Sequence, residues 1–298
     1  MLSRLGGHFV LYYPQLQYKI KNIFILIFIH KIFAVAMTIG SSQKFTMKKM
    51  PLLFALFWFA VSFKPVDKRE IVVAAAADLK FAMDSIITIF DKDHADIDVK
   101  VTYGSSGNFF AQISNGAPFD LFFSADIDYP QQLKEKNIAI SDVKPYGIGQ
   151  VVLWSKKVDP SLHKMNTLLD GDIAKIAIAN PAHAPYGKKA EESLQYYKLY
   201  DKIKDKLVLG ENIAQTAQFV TTGAADIGIV ALSLALSPAM QREGGKYWLI
   251  PAESHQPLQQ GYVILQHAKD NKDVAQFSDF IGSSKAAAIL KYYGFGNK

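Results

Sequence analysis

The sequence predicts an α/β fold in which helices cover both faces of mostly parallel sheets. From about residue 68, short apolar runs alternate along the chain with segments of helical periodicity. A strand buried on both faces of a parallel sheet has such a continuous apolar run, and its alternation with helices is typical of α/β layers. No internal repeat and no low-complexity linker interrupts this pattern.

The first predicted strand, IVVAAA at 71–76, leads directly into an amphipathic helix. The apolar residues of this helix recur with a 3.6-residue period, and they are Leu79, Ala82, Met83, Ile86, Ile87 and Phe90. Asp78 stands just before the pattern, where an aspartate commonly caps the free N–H groups of a helix start. We therefore expect the Asp78 side chain to be the N-cap of this helix.

A second strand at 97–103 leads into Gly104-Ser105-Ser106-Gly107, and a short helix then runs to about Gly116, a typical C-cap residue. Further strands are predicted at 120–125, 150–155, 173–180, 206–210 and 226–232. Further helices are predicted at 188–203, 213–222 and 274–293. Asn212, with Gln215 three residues later, has the spacing of a capped helix start.

The positive charge of the chain is concentrated near its N-terminus. Residues 1–66 hold eight of the 33 Lys and Arg residues and no Asp or Glu, which leaves 25 basic and 27 acidic residues in 67–298. A nucleic-acid-binding protein needs a basic surface on its folded body. The mildly acidic body therefore argues against a nucleic-acid partner.

The segment from Met47 has the order of an export signal. Lys48 and Lys49 precede an apolar run at 52–59, and Ala60 and Ser62 supply small residues for cleavage after Ser62. We predict a signal peptide at 47–66 and a mis-assigned upstream extension at 1–46; an uncleaved membrane anchor is the alternative. Because the chain has no cysteine, it cannot carry a disulfide or a lipid-modified cysteine, which favours a periplasmic protein that is not lipid-anchored.

Candidate binding residues lie where predicted strands end and helices begin. Ligands in open parallel sheets bind at the carboxyl ends of the strands. The partial positive charge and free N–H groups of a helix start can hold an oxyanion there without Lys or Arg. The candidates at four such junctions are Ala77, Asp78, Ser105, Ser106, Tyr186 and Ile213.

Other readings of these residues remain open. Gly104–Gly107 also fits an ordinary loop, but it is neither a P-loop, since no Lys follows Gly107, nor a G-x-S-x-G elbow. A serine hydrolase using Ser105 or Ser106 would need a histidine from a loop, and His183 and His255 are the candidates. The seven histidines lack metal-site spacing. Asp120, Asp126 and Asp128 could form paired carboxylates for acid/base catalysis, but their spacing also fits a strand end and a turn.

Five segments together resemble the periplasmic molybdate-binding proteins of ABC importers. In order along 70–295 they are VVAAAADLKFAMDSI, YGSSGNFFAQISNGAPFDLFFSAD, IANPAHAPYGKKAEESL, ADIGIVALS and LKYYGFG. The resemblance implies a two-lobed type II periplasmic binding protein, with a ligand cleft between lobes that the chain crosses twice. It implies lobe 1 at 68–146 and 260–298, and lobe 2 at 147–259.

The resemblance also implies a ligand and a set of contacts. Molybdate or tungstate would be held as the oxyanion, with molybdenum bound only through its own oxygens, and handed to a permease. The contacts would come from Ser106, from the backbone N–H groups of Asp78 and Ile213, and from Tyr186. The family usually has serine where this chain has Asp78, whose side chain we expect to turn away. Some members have an anion-binding tyrosine where this chain has Ala231, and the Tyr186 phenol is a candidate to replace it.

From these residues we expect a monomeric binding protein without a cofactor or catalytic activity. A receptor for sulfate or phosphate is the alternative, because both are tetrahedral oxyanions. Phosphate can carry a proton and would need an acceptor, which Asp78 could supply. The serine hydrolase is a more remote alternative.

Overall fold

The computed structural model describes residues 69–296. The predicted upstream extension at 1–46 and the signal peptide at 47–66 lie outside the described residues. Among the residues that the structure describes, no helix is both long enough and apolar enough to cross a bilayer.

The described chain forms two five-stranded sheets, which confirms the predicted α/β fold. The strands are β1 (Arg69–Ala76), β2 (Ile97–Gly104), β3 (Leu121–Ser124), β4 (Lys144–Gly149), β5 (Val151–Ser155), β6 (Ile176–Ala179), β7 (Leu207–Gly210), β8 (Ile227–Ala231), β9 (Lys246–Leu249) and β10 (Leu258–Ile264). The first sheet has the order β2-β1-β3-β10-β4, and the second has the order β7-β6-β8-β5-β9. We call each sheet with its packed helices the first lobe and the second lobe.

Four strands of each sheet run in the same direction. In the first sheet β1 pairs in parallel with β2 and β3, and only β10 runs against its neighbours. In the second sheet β6 pairs in parallel with β7 and β8, and only β5 runs against its neighbours. The chain passes between the sheets at β4–β5 and again at β9–β10. The carboxyl ends of the central parallel strands are therefore available for a ligand.

The α-helices are α1 (Lys80–Asp93), α2 (Ser106–Ser114), α3 (Asp128–Glu135), α4 (Pro160–His163), α5 (Pro185–Tyr196), α6 (Tyr200–Ile203), α7 (Ile213–Thr221), α8 (Leu232–Ala235), α9 (Pro238–Arg242), α10 (Lys272–Ile281) and α11 (Ser284–Tyr292). Short 3-10 helices span Ala77–Leu79, Lys164–Leu169, Lys204–Lys206, Ala252–Ser254 and Gln266–Ala268. The first sheet buries α1, α10 and α11 on one face and α2 and α3 on the other. A separate apolar core fills the second lobe.

The structure corrects several predicted boundaries. The predicted helix at 188–203 ends at Tyr196, because Lys198 takes a left-handed conformation with φ +55° before α6 begins. The predicted tail helix is two helices, and Ser283 caps the second by accepting a hydrogen bond from the Ala286 N–H. The strands β4, β9 and β10 were not predicted, since their sequences KPYGIG, KYWL and LQQGYVI lack a continuous apolar run.

Candidate functional site

Four helix starts converge on one cavity between the two lobes, three of them α-helical (α2, α5 and α7) and the fourth the start of the 3-10 helix Ala77–Leu79. About 200 Å³ of space around these residues is not filled by protein atoms, and part of that space is open to solvent. All six candidate residues line the cavity, together with Ala76, Gly104, Ala125, Ala184, Pro185 and Asn212. The first lobe contributes the residues after β1, β2 and β3, and the second lobe contributes the starts of α5 and α7.

The serine-rich loop supplies the start of α2. Ser105 is the N-cap residue and Ser106 is the first helical residue, and both are buried. The Ser106 Oγ accepts a hydrogen bond from the Ala125 N–H at 3.0 Å, so its own proton is free to be donated to a ligand. Gly104 and Gly107 allow close backbone approach, since a Cβ on Gly107 would lie 2.5 Å from the His183 carbonyl oxygen.

The second lobe presents two further helix starts. Helix α5 has Ala184 as N-cap and begins with Pro185, a residue suited to the first turn because it has no N–H to satisfy. Helix α7 has Asn212 as N-cap, and its Oδ1 accepts from the N–H groups of Ala214 and Gln215 at 3.0 Å each. This confirms the predicted capping. The Ile213 N–H lies in the same first turn and has no partner within the helix.

The Asp78 side chain does not cap α1, contrary to our expectation. Helix α1 begins at Lys80, and its N-cap position, Leu79, makes no side-chain bond. The Asp78 carboxylate is buried, and its Oδ2 accepts hydrogen bonds from the Tyr186 hydroxyl at 2.9 Å and the Gln260 Nε2 at 2.8 Å. The backbone stays extended at Ala76 and turns through a 3-10 helix. This turn places the carboxylate inside the protein instead of at the helix start.

Tyr186 is accordingly bonded to Asp78. A phenol has one proton, and here that proton is donated to the carboxylate, so the structure does not show it as the expected added donor to an anion. The Tyr186 oxygen accepts in turn from the Gln260 Nε2 at 3.1 Å. The backbone N–H of Tyr186 still lies in the first turn of α5, beside the cavity.

Gln260 and Ser233 are the site residues that sequence reasoning missed near Asp78. Gln260 is fully buried on β10, the returning strand between lobes, and the Ser233 hydroxyl donates to the Asp78 carbonyl oxygen at 2.8 Å. The sequence of β10, LQQGYVI, does not mark Gln260 as buried, so no local signal pointed to it. The Asp78 carboxylate, in the first lobe, thus contacts Tyr186 of the second lobe and Gln260 of β10, the strand by which the chain returns to the first lobe.

The carboxylate is held in an unfavourable environment for its charge. Burial raises the pKa of Asp78 from 3.8 to about 6, although the hydrogen bonds from Gln260 and Tyr186 and the nearby N–H groups of Asp78 and Leu79 oppose the rise. Burial and the Asp78 charge raise the pKa of Tyr186 well above its usual value. Within the described part of the chain, no Lys or Arg lines the cavity.

A second group of contacts joins the lobes beside the serines. The Ser105 Oγ donates to the His183 carbonyl oxygen at 2.6 Å, and the Gly107 N–H donates to the same oxygen at 3.0 Å. The Asn108 Nδ2 donates to Glu211 at 2.5 Å. His183 and Glu211 follow β6 and β7, so this group spans the cleft between the two lobes.

Comparison with known proteins identifies the family. Residues 71–296 match the profile of the bacterial extracellular solute-binding proteins. The molybdate-binding protein ModA of Azotobacter vinelandii is 36% identical over 228 residues, covering 76% of this chain and 90% of that protein. ModA of Rhodobacter capsulatus is 33% identical, covering 78% and 90%. The chain belongs to the bacterial extracellular solute-binding proteins.

Solved structures agree with this family assignment. The periplasmic molybdate-binding protein of Azotobacter vinelandii superposes with a TM-score of 0.70 at 31% identity, covering 76% of this chain and 99% of that chain. A putative molybdenum transporter's substrate-binding domain from Clostridium difficile gives 0.58 at 29% identity, covering 78% and 100%. In this chain the cavity is lined by residues from both lobes.

The geometry of Ser105 argues against its use as a nucleophile. The His183 Nδ1 lies 3.0 Å from the Ser105 Oγ, and the His183 Nε2 lies 3.7 Å from Glu211. A catalytic histidine must accept the serine proton. Here the hydroxyl proton goes to the His183 carbonyl, so Nδ1 can meet the same oxygen only as a donor. Ser105, His183 and Glu211 therefore lie near one another as in a catalytic triad, but the histidine is not placed to accept the serine proton.

The remaining acidic candidates have structural contacts. Asp120 accepts from the Val72 N–H at 2.8 Å and meets the His267 Nδ1 at 2.8 Å. Asp126 accepts from the Asp128 N–H at 3.0 Å and shapes a turn. Among residues 69–296, no cluster of three or more His, Cys, Asp or Glu side chains has the arrangement of a metal site. Apart from the Asp78 carboxylate, the solute-binding protein offers neutral hydrogen-bond donors at its cavity, which suit a small anion.

Proposed function

We propose that this protein is the exported solute-binding component of an ABC importer and that it captures molybdate, and tungstate equally, in the periplasm. The convergence of four helix starts on a cavity without Lys or Arg carries this proposal. The molybdate-binding relatives and the structural match support it. The protein performs no chemistry, and it delivers the oxyanion to a membrane permease as a monomer.

The oxyanion would be held by hydrogen bonds that its own oxygens accept from the protein. The Ser106 hydroxyl and the first-turn N–H groups of α2, α5 and α7 supply donors, and the backbone N–H of Asp78 adds one from the first lobe. No protein atom would coordinate molybdenum itself. Neutral donors from both lobes favour the closed form when the anion is present, and they allow release when the lobes separate.

Lobe movement is the second part of the mechanism. We propose that β4–β5 and β9–β10 are the hinge segments about which the lobes close. The bonds of Ser105 and Gly107 to His183 form only when the lobes meet. They would therefore add to the stability of the closed complex without touching the oxyanion.

A receptor for hydrogen phosphate is the alternative, and Asp78 is the observation that favours it. An ionised carboxylate can accept the proton of a protonated oxyanion, and one oxygen of Asp78 is buried without a hydrogen-bond partner. Molybdate and tungstate differ from phosphate in having longer bonds to oxygen and no proton at neutral pH. Size and protonation therefore separate the two candidates.

Titration calorimetry of the purified full chain with molybdate, tungstate, sulfate and phosphate tests the proposal. We expect tight binding of molybdate and tungstate, with no heat from sulfate or phosphate. Binding of phosphate or sulfate with no response to molybdate would contradict the proposal and favour the alternative. A Ser106→Ala variant should bind molybdate more weakly, and Ser114→Ala, an exposed serine at the end of α2, is the matched control.

A further inference from the structure

The Asp78 carboxylate has one oxygen that the protein leaves without a partner. Oδ2 accepts from Tyr186 and Gln260, whereas Oδ1 is buried and has no hydrogen-bond partner. Asp78 lines the same cavity as Ser105, Ser106 and Ile213. A buried polar atom without a partner is costly, and a ligand group in the adjoining cavity is one way to satisfy it.

The groups around Asp78 do not neutralise its charge. The side chains that contact it are Tyr186 from α5 and Gln260 from β10, and Ser233 from α8 contacts its backbone. Tyr146 of β4 is the other titratable group close enough to respond to its charge, and burial holds the pKa of Tyr146 well above its usual value. No His, Lys or Arg nitrogen in the described part of the chain forms an ion pair with Asp78.

A fully ionised oxyanion in this cavity would meet an ionised carboxylate at close range. Two like charges in a buried site disfavour one another, and the weaker acid takes up a proton. The carboxyl is already poised for this, since burial raises its pKa to about 6. Once protonated, Oδ1 changes from an acceptor that repels the anion into an O–H donor that can bond to it.

Resting on the proposed function, we propose that Asp78 determines how this protein accepts its ligand: the oxyanion binds to the form in which Asp78 is protonated, so that one proton is taken up with each dianion. The proton comes from solvent, adds to Oδ1 and returns to solvent on release. The neutral carboxyl would then act as a hydrogen-bond donor to the anion.

The direct test counts protons during binding of tungstate or molybdate to the full chain. Calorimetry at one pH in two buffers of different ionisation enthalpy gives the number of protons taken up per anion. At pH 8 we expect about one proton, and we expect affinity to fall roughly tenfold from pH 7 to pH 8, because the protonated fraction falls by that factor above the pKa. Well below about pH 5 the free protein is already protonated, so the proton uptake should fall toward zero and the affinity should no longer depend on pH.

An Asp78→Asn variant tests the residue assignment. Its amide Oδ1 can accept from Tyr186 and Gln260, and its NH₂ can donate to the anion, so it imitates the protonated carboxyl. We expect it to bind with no proton uptake, with an affinity that does not change between pH 6 and 8. Asp84→Asn removes a half-exposed carboxylate from α1 and should keep the behaviour of the parent protein.

The possible outcomes separate this inference from the function on which it rests. Tight tungstate binding by the parent protein without proton uptake and without pH dependence would overturn the inference and leave the proposed function standing. No binding of tungstate or molybdate at any pH would overturn both. If Asp78→Asn fails to fold, the proton count of the parent protein still decides. A proton count of one that persists in a folded Asp78→Asn variant would exclude Asp78 as the proton acceptor.

Discussion

Two neighbouring strand-to-helix junctions of the first lobe reach the same cavity with opposite chemistry. After β2, Ser105 and Ser106 bring hydroxyl groups to the start of α2. After β1, which pairs in parallel with β2, Ala77 and Asp78 bring a buried carboxylate to the same cavity. Both junctions begin a helix beside the same cavity, but only the junction after β1 carries an ionisable side chain there.

The difference teaches which part of such a site is set by the fold and which by the side chain. Parallel strands in register bring their carboxyl ends, and the helix starts that follow them, to one edge of the sheet. That arrangement supplies donors whatever the side chains are. The side chain at Asp78 then decides whether the junction carries a charge that depends on pH. Four variants test this comparison, and they are ordered from the largest expected effect to the smallest.

Neutralising the carboxylate should have the largest effect on stability. The pKa of Asp78 is raised from 3.8 to about 6 in the folded protein, so the folded state binds the proton more tightly than the unfolded state. Stability from this group is therefore present below about pH 4 and is lost as pH rises to about 6, by roughly 3 kcal/mol. Relative to the parent protein, Asp78→Asn should become more stable by about that amount between pH 4 and pH 7.

Urea unfolding of both proteins at several pH values, without anion, measures this difference. A constant difference across this pH range would mean that Asp78 titrates with an ordinary pKa. Any dependence of the protein on pH would then have to come from another titratable group. The junction after β1 would then resemble the serine junction after β2 in having no side chain with a shifted pKa.

Adding one methyl group at Gly107 should oppose the meeting of the lobes. A Cβ there would lie 2.5 Å from the His183 carbonyl oxygen and 3.0 Å from its Cα, both in the other lobe. Overpacking of this kind costs about 1–3 kcal/mol, which is roughly ten- to a hundredfold in molybdate affinity. The free energy of unfolding should change much less, because the clash arises between lobes. Gly171→Ala, where a Cβ would have no neighbour within 4 Å, is the control.

Equal losses of affinity and stability in Gly107→Ala would show instead that the residue shapes its own loop. Calorimetry and urea unfolding of the same preparation distinguish the two outcomes. Only the first outcome would show that Gly107 acts at the contact between the two lobes.

Removing the Ser106 hydroxyl should weaken both the fold and the ligand site. Ser106 is 1% exposed, and its loss leaves the Ala125 N–H without its acceptor. An unsatisfied buried donor costs about 1–3 kcal/mol, and the loss of a donor to the anion should lower affinity by a similar amount. An affinity equal to that of the parent protein would show that Ser106 stabilises the loop without contacting the ligand.

The backbone of the site could be predicted from the sequence, but the orientation of Asp78 could not. Apolar runs and helical periods are local signals, and they predicted the strand ends where all six candidate residues line one cavity. The partners of Asp78 lie far along the chain, with Tyr186 108 residues away and Gln260 182 residues away. Capping preference is a local rule, and here the distant contacts overrode it.

The sequence analysis missed strands β10 and β4 for a related reason. Strand β10 carries the buried Gln260 and is antiparallel to both of its neighbours, so it shows neither the continuous apolar run nor the helix-linked spacing of a parallel strand. Strand β4 contains Pro145 and two glycines, which are unfavourable in an ordinary strand. The segments that connect the lobes therefore have the weakest sequence pattern in the described chain.

Tyr186→Phe should have the smallest effect, and its direction is the informative part. The Tyr186 hydroxyl bonds to Asp78 and lowers the pKa of that carboxyl, so its removal should raise the pKa further. More of the protein would then be protonated at pH 8, and the affinity for molybdate at that pH should rise slightly or stay unchanged. A hydroxyl that donated directly to the oxyanion would predict the reverse, a loss of affinity at every pH.

The pH profile of molybdate affinity between pH 6 and pH 8.5 decides between these roles. Tyr196→Phe, which changes an exposed tyrosine on the same helix, should match the parent protein throughout. An upward shift of the Tyr186→Phe profile along the pH axis would place the tyrosine behind Asp78, as a residue that positions and tunes the carboxyl. A loss of molybdate affinity of the same size at every pH would place the Tyr186 hydroxyl beside the anion. The starts of α2 and α5 would then both contact the anion through a side-chain hydroxyl.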